Sequence, residues 1–318
     1  MRIVRHFRAL TPDLQKAAVA IGNFDGMHLG HLAVLNLMKA RAKALNVKTA
    51  VITFEPHPRA FFDKENSPKR LMRIRDKYQA LRDLGVDIVY VLKFNAALAT
   101  LPAEQFIHQI LATDLKVKDV TTGDNFVFGK DRLGTVGLIK AGAEFSGHYT
   151  ANSVPAVIVG GSPVSSSRIR ALLKEGKAEE CAALFGIPYR LSGRVVHGDA
   201  RARTLGYPTA NIVPPPYLTL PAYGVYLVWV KRPGNNTPHA AIANIGVKPT
   251  FGGTSRPVLE IHLLDQNLAL YGEILEVEFI RRMRAEQTFP NLAALAAQIA
   301  RDVVSARQYF AALNEPAA

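Results

Sequence analysis

At 318 residues and 48% hydrophobic content, the chain carries more apolar sequence than one core needs and suits two domains. A formal net charge of +13 suits polyanionic ligands, but the Lys/Arg excess is dispersed, with no dense basic block or aromatic-interleaved stripe, which argues against nucleic-acid binding. Cys181 is the only cysteine, which excludes an intramolecular disulfide and a cysteine-based zinc site; with no charged-then-apolar leader and no apolar run long enough to span a bilayer, a cytoplasmic protein without a membrane partner is the expectation.

Residues 1–16 read as a leading strand or arm. Ala17–Ala20 reads as a short apolar strand, and Leu32–Leu45 as a helix rich in Ala, Leu, Lys and Arg. Between them runs Ile21-Gly22-Asn23-Phe24-Asp25-Gly26-Met27-His28-Leu29-Gly30-His31. Strand, glycine-containing turn and helix together present backbone N–H groups and a helix N-terminus to an anion. His28 and His31, three apart on an opening turn, share a face and can meet one phosphate chain. The same residues also fit a tight turn with polar surface histidines. The combination of Asn23, Asp25, His28, Gly30 and His31 favours a nucleotide site.

Thr49–Phe54 is the next predicted strand, closed by Glu55-Pro56-His57-Pro58, whose prolines stop both helix and sheet. Loops at the C-terminal ends of parallel strands are where α/β proteins bind ligands, so His57 and Arg59 are candidates beside the reading of a purely structural corner. Helices are expected over 74–84 and 103–111, and strands over 86–92, 119–122 and 156–159, the last closing the first domain. The stretch Gly123–Gly134 carries glycines, Phe126, Phe128, Lys130 and Arg132. It could cover a planar ring and a phosphate, or form a surface turn with a small aromatic cluster. Ser165-Ser166-Ser167-Arg168-Ile169-Arg170 opens a helix; serines cap such starts, but two arginines there run against the helix dipole and fit a polyphosphate lying over it.

Strands alternating with helices through residue 185 indicate a Rossmann-like parallel sheet with covering helices. From Tyr189 the pattern changes to short β-rich runs at 189–196, 223–230, 241–245, 257–263 and 274–279, separated by Gly and Pro turns. This indicates a compact antiparallel barrel. A last helix over 291–310 places Leu292, Leu295, Ile299 and Val303 on the packed side. Gly186-Ile187-Pro188 is the expected linker between domains 1–185 and 186–318. On strand 258–263, alternation puts Glu260 and His262 on one face; alone, such a glutamate reads as solvated surface.

These residues together resemble the bacterial bifunctional riboflavin kinase/FMN adenylyltransferase family over nearly the whole chain. Gly22–His31, Phe54–Pro58, Gly123–Gly134 and Ser165–Arg170 carry the likeness in the first half. Gly193–Gly198, Arg203–Asn211, Pro221–Tyr226, Asn244–Gly246 with Pro249–Gly252, and Glu260–Asp265 carry it in the second, followed by Tyr271-Gly272, Arg284-Ala285-Glu286 and Phe289. Pro208-Thr209-Ala210-Asn211 is the most specific of these and resembles riboflavin kinases.

The resemblance implies an α/β nucleotidyltransferase-type domain followed by an antiparallel β-barrel riboflavin kinase domain with a C-terminal helix. It implies ATP-dependent phosphorylation of riboflavin to FMN, then adenylyl transfer from ATP to FMN, giving FAD and pyrophosphate. In adenylyl transfer, His28 and His31 hold the ATP phosphates and stabilise the transition state. Gly22, Asn23 and Gly30 lie at the same phosphates, and Ser165, Ser166, Ser167 and Arg170 clamp the departing pyrophosphate. His57, Asn125, Phe126 and Phe128 bind flavin. In the kinase, Glu260 is the base, Thr209 and Asn211 hold Mg²⁺ with the ATP phosphates, and Gly198 and Arg203 form the phosphate-side loop. The implied partners are small-molecule substrates, with at most weak or transient self-association. Three positions depart from the family pattern: Asn125 replaces the usual aspartate, Met27 the usual valine in an apolar exchange, and Ala202 the usual glycine before Arg203. The third puts loop conformation and ATP affinity in question.

Overall fold

The computed structural model describes residues 1–197, 206–232, 234–248, 256–266 and 268–314. The chain parts into two compact units, Met1–Ser166 and Ser167–Ala318.

The first unit is built on six parallel strands: β1 (Arg2–Val4), β2 (Ala18–Ile21), β3 (Thr49–Glu55), β4 (Ile88–Lys93), β5 (Asp119–Gly123) and β8 (Thr150–Val154), in the order β1-β4-β3-β2-β5-β8. The leading arm thus adds an edge strand. β2 and β3 are apolar runs because both their faces are covered. Val19 and Ile21 face one core, with Ile52 and Tyr90. Ala18 and Ala20 face the other, against Leu35 and Met38 of α1 (Leu29–Leu45). The chain turns from β2 toward β3 and β4 on one side and later to β5 and β8 on the other. The C-terminal end of β2 is therefore the topological switch point, where open α/β sheets take ligands.

Several expectations shift. The helix expected from Leu32 begins at Leu29, so the histidine motif spans its first turn. Of the helix expected over 103–111, one α-turn (Ala103–Gln105) leads into a π-helix, Phe106–Asp114. The last parallel strand is β8, not 156–159; Ile158–Val159 forms a two-residue hairpin with Ser162–Pro163. β8 escapes an apolar search because Thr150 and Asn152 both donate to Asp119, a fully buried carboxylate on β5. A helix at Val136–Ser146, interrupted by two glycines, was not expected from sequence.

In the second unit β11 (Tyr189–Val196), β12 (Ala210–Ile212), β13 (Gly224–Arg232), β14 (Asn235–Lys248), β15 (Arg256–Leu263) and β16 (Ile274–Ala285) close a barrel in the order β11-β12-β15-β14-β13-β16. Alternation fills the inside with Tyr226, Val228, Ala243, Ile261, Val277 and Phe279. The outer face of β13 and β14 presents Val225, Leu227 and Ile242 to Val303, Ala306 and Phe310 of the C-terminal helix Leu292–Asn314. Leu292, expected on the packed side, is 62% exposed because the helix is only beginning there. Helices Ser166–Glu175 and Ala178–Phe185 group with the barrel: the Ala222 N–H donates to Leu173 O, and Arg281 on β16 grips Glu179. The expected linker at 186–188 therefore lies inside the second unit.

Candidate active sites

At the end of β2 the chain enters a tight loop in which Phe24 and Met27, both buried, adopt positive φ (49° and 50°). Such conformations are strained for bulky residues and persist only where the surroundings enforce them. Asp25 supplies part of that enforcement: both its buried carboxylate oxygens accept from the Leu71 N–H, at 3.0 and 3.1 Å. The Ser166 hydroxyl donates to Asp25 O at 3.1 Å, so this serine ties down the loop.

His28 caps α1, its Nδ1 accepting the His31 N–H at 3.3 Å. The two rings stack, with centroids 3.6 Å apart and planes 16° from parallel. Gly30 makes the stack possible, since a Cβ there would press on the His28 ring at 3.2 Å. Desolvation holds the His31 imidazole well below its ordinary pKa, and the charges of His28 and Lys77 add to the effect. Asn23 Oδ1 and His31 Nδ1 are both buried without a hydrogen-bond partner among the described residues. Buried polar atoms left unpaired are costly, and these two lie at the switch point, the part of an open α/β sheet that takes ligands.

Next to this loop, Glu55 at the end of β3 receives a bidentate pair from Arg70 (3.0 and 2.6 Å) and an ion pair from Lys77 at 3.4 Å. Lys77 is 5% exposed, and burial lowers its pKa. His57 is spent locally in part: its Nδ1 accepts the Arg59 N–H at 3.2 Å and caps the short helix Pro58–Phe62. Beyond it lies a group the sequence reading passed over. Phe61 and Phe62 meet Phe94 edge-on at 5.5 and 5.8 Å, with Phe54 behind, and Phe62 is 71% exposed. Two adjacent aromatics after a Pro-His-Pro corner were the available signal.

In the stretch after β5, Phe126 stacks on Phe128 at 5.6 Å, and Phe128 packs on Phe106 in the core. Phe128 is buried, Phe126 half-buried and Asn125 exposed. Ser167 and Arg170 lie on the helix Ser166–Glu175, past the division between units.

In the second unit, register brings polar residues from three strands into one row. Asn211 on β12 lies opposite Glu260 on β15, and Glu260 lies opposite Asn244 on β14. Directly opposed residues point the same way, here to the outer face beside the C-terminal helix. Glu260 and His262 do share this face. The His262 ring nitrogen bonds Pro208 O at 2.9 Å, fastening the segment that leads into Thr209. Asn211 is 5% exposed and turns its amide nitrogen to Thr209 O at 3.4 Å. A hydroxyl, an amide oxygen and a carboxylate are the oxygen donors that a hard divalent cation takes, so these residues fit Mg²⁺. Asn244 was within the matched segment without a role; only register shows it beside Glu260. Gly198, Ala202, Arg203 and Pro249–Gly252 lie outside the described residues.

These are the features of a nucleotidyltransferase sheet joined to a flavokinase barrel. The FAD synthetase family model matches residues 10–168, and the riboflavin kinase model matches residues 185–310. The bifunctional riboflavin kinase/FMN adenylyltransferase of Escherichia coli (strain K12) is 40% identical with both chains fully covered. That of Pseudomonas fluorescens is 40% identical over 96% of this chain and 97% of its own. A crystal structure of a macrolide-efflux protein from Streptococcus pneumoniae matches with a TM-score of 0.83 at 28% identity, covering 96% of this chain and 98% of that one. The chain belongs to the bifunctional riboflavin kinase/FMN adenylyltransferase family.

Proposed function

We propose that this chain phosphorylates riboflavin to FMN with ATP and then transfers an adenylyl group from a second ATP to FMN, giving FAD and pyrophosphate. Residues 1–185 carry the adenylyl transfer and 186–318 the kinase step.

For adenylyl transfer, an FMN phosphate oxygen attacks the α-phosphorus while the bond to pyrophosphate breaks. Both reactants are anionic, so the site must orient them in line and offset charge. His28, His31 and, through its amide nitrogen, Asn23 line the switch-point loop as donors to the ATP phosphates, and the unpartnered His31 Nδ1 carries this reading. Ser165–Ser167 and Arg170 keep the phosphate role implied by the family resemblance. The Phe54–Phe61–Phe62–Phe94 cluster, with His57, Asn125 and Phe126, offers a surface for the isoalloxazine ring. Phe128 supports Phe126 from below.

For the kinase step, the ribityl 5′-hydroxyl oxygen bonds to the γ-phosphorus as the bond to ADP breaks. A neutral alcohol is a weak nucleophile, and Glu260 takes its proton. Thr209 and Asn211 would hold Mg²⁺ with the ATP phosphates, and the cation would offset the charge developing on them. The row Asn211–Glu260–Asn244 supports this half.

Small molecules are the partners on this reading, in a cytoplasmic protein with no nucleic-acid or membrane partner and at most weak or transient self-association. None of the described helices is long and apolar enough to cross a membrane. The test is to supply purified protein with ATP, Mg²⁺ and either riboflavin or FMN and to separate the flavins. FMN and FAD should both appear from riboflavin, and FAD from FMN; absence of FAD in the second reaction would remove the adenylyltransferase.

A further inference from the structure

The kinase row has a neighbour that no assignment above uses. Gly246 sits on the outer face of β14, two residues beyond Asn244 and so on the same side. A Cβ built on Gly246 would fall on Glu286 Oε1, with the Asn244 amide nitrogen 3.4 Å from the same point. The Glu286 carboxylate thus occupies the space that a side chain at position 246 would take, next to Asn244 and one ladder step from Glu260. Residues on the diagonal of an antiparallel ladder are about 7–8 Å apart, a gap a short polyol chain spans.

This carboxylate takes no hydrogen bond or ion pair from any described residue. Partial burial and then the charge of Glu260 raise its pKa. The nearest cation of the row, Arg284, is committed to Asp302 by bonds of 2.7 to 3.1 Å. A carboxylate beside an amide and a base, with no donor among the described residues, is an acceptor for vicinal hydroxyls.

We propose that Glu286 is a specificity-determining residue of the kinase site, accepting hydrogen bonds from the secondary hydroxyls of the ribityl chain and so delivering the terminal hydroxyl to Glu260. The inference rests on the kinase reading above. Glu260 acts on the reacting hydroxyl, while Glu286 holds the chain behind it. Hydrogen bonds to a charged acceptor correspond to roughly 10- to 100-fold in kcat/KM.

The experiment compares riboflavin with a flavin bearing a 5-hydroxypentyl chain, which keeps the terminal hydroxyl and lacks the secondary ones. The native protein should prefer riboflavin. Glu286→Ala should lose roughly 10- to 100-fold in kcat/KM for riboflavin and almost nothing for the analogue. Gly246→Ala, which displaces the carboxylate while leaving Glu286 in the chain, should behave likewise, and Glu286→Gln should recover part of the preference through its amide oxygen. Thermal melts and FAD formation from FMN establish that each variant is folded. Equal losses on both flavins, or an undiminished preference in Glu286→Ala, would overturn the proposal. Failure of the native protein to make any FMN would instead overturn the kinase reading itself.

Discussion

His28 and His31 lie ring on ring, with centroids 3.6 Å apart, at the start of the helix that leaves the switch point. Two imidazolium ions at that separation would repel strongly, so the stack favours at most one charge. The His31 pKa is held well below its ordinary value by burial, then by the charges of His28 and Lys77. His28 is oriented by the cap it makes on the His31 N–H.

The lowered His31 pKa has a stability consequence. The unfolded chain protonates His31 near pH 6.5, whereas the folded chain resists protonation until lower pH. Below about pH 6.5 the unfolded state therefore binds more protons, and stability falls with falling pH by up to about 1.4 kcal/mol per pH unit for this one group. Thermal melts at pH 7.5, 6.5 and 5.5 should show this decline, and His31→Gln should flatten it. An unchanged slope in the variant would contradict the account.

The Asp25–Leu71 tie holds the loop that carries both histidines. Asp25→Ala removes both carboxylate acceptors of the Leu71 N–H in a buried place and should cost about 1–3 kcal/mol. Urea unfolding should register that loss, and FAD formation from FMN should fall at least several-fold as Phe24 and Met27 relax. Full activity with normal stability would show that the loop holds itself.

These ties explain how much could be read beforehand. Strands β2 and β3 were legible because burial on both faces leaves continuous apolar runs, and the barrel because one covered face leaves alternation. β8 was not legible, since Asp119 satisfies its polar side chains from another strand. β12 is three residues long and follows Pro208, so nothing in its own stretch announces a strand. Among the site candidates, His28 and His31 were read from a motif and Glu260 from the family resemblance. The Asp25–Leu71 bond, the placement of Asn244 beside Glu260, and Glu286 over Gly246 depend on register and long-range approach, which a linear pattern does not contain.

On the barrel, Arg284 and Asp302 form a largely buried pair that fastens the C-terminal helix, with Gln298 also donating to Asp302. Asp302→Ala strands the guanidinium and should cost about 3–5 kcal/mol. Chemical denaturation followed by Trp229 fluorescence, a reporter packed 4.5 Å from Phe310 of that helix, measures it. A loss below 1 kcal/mol would mean the apolar contacts suffice.

Cys181 is fully buried on the helix Ala178–Phe185, and burial pushes its thiol pKa up to about 12. It should resist a water-soluble disulfide reagent in the native protein and react stoichiometrically in denaturant. Rapid labelling under native conditions would show that this helix opens from the barrel.

The division of chemistry between two sites is tested most directly by crossing the two key residues. His28→Ala and Glu260→Ala are each supplied with ATP, Mg²⁺ and either riboflavin or FMN, and the flavins are separated. His28→Ala should make FMN from riboflavin and no FAD from either substrate. Glu260→Ala should make FAD from FMN and no FMN from riboflavin. Loss of both reactions in either folded variant would contradict the assignment of one reaction to each site.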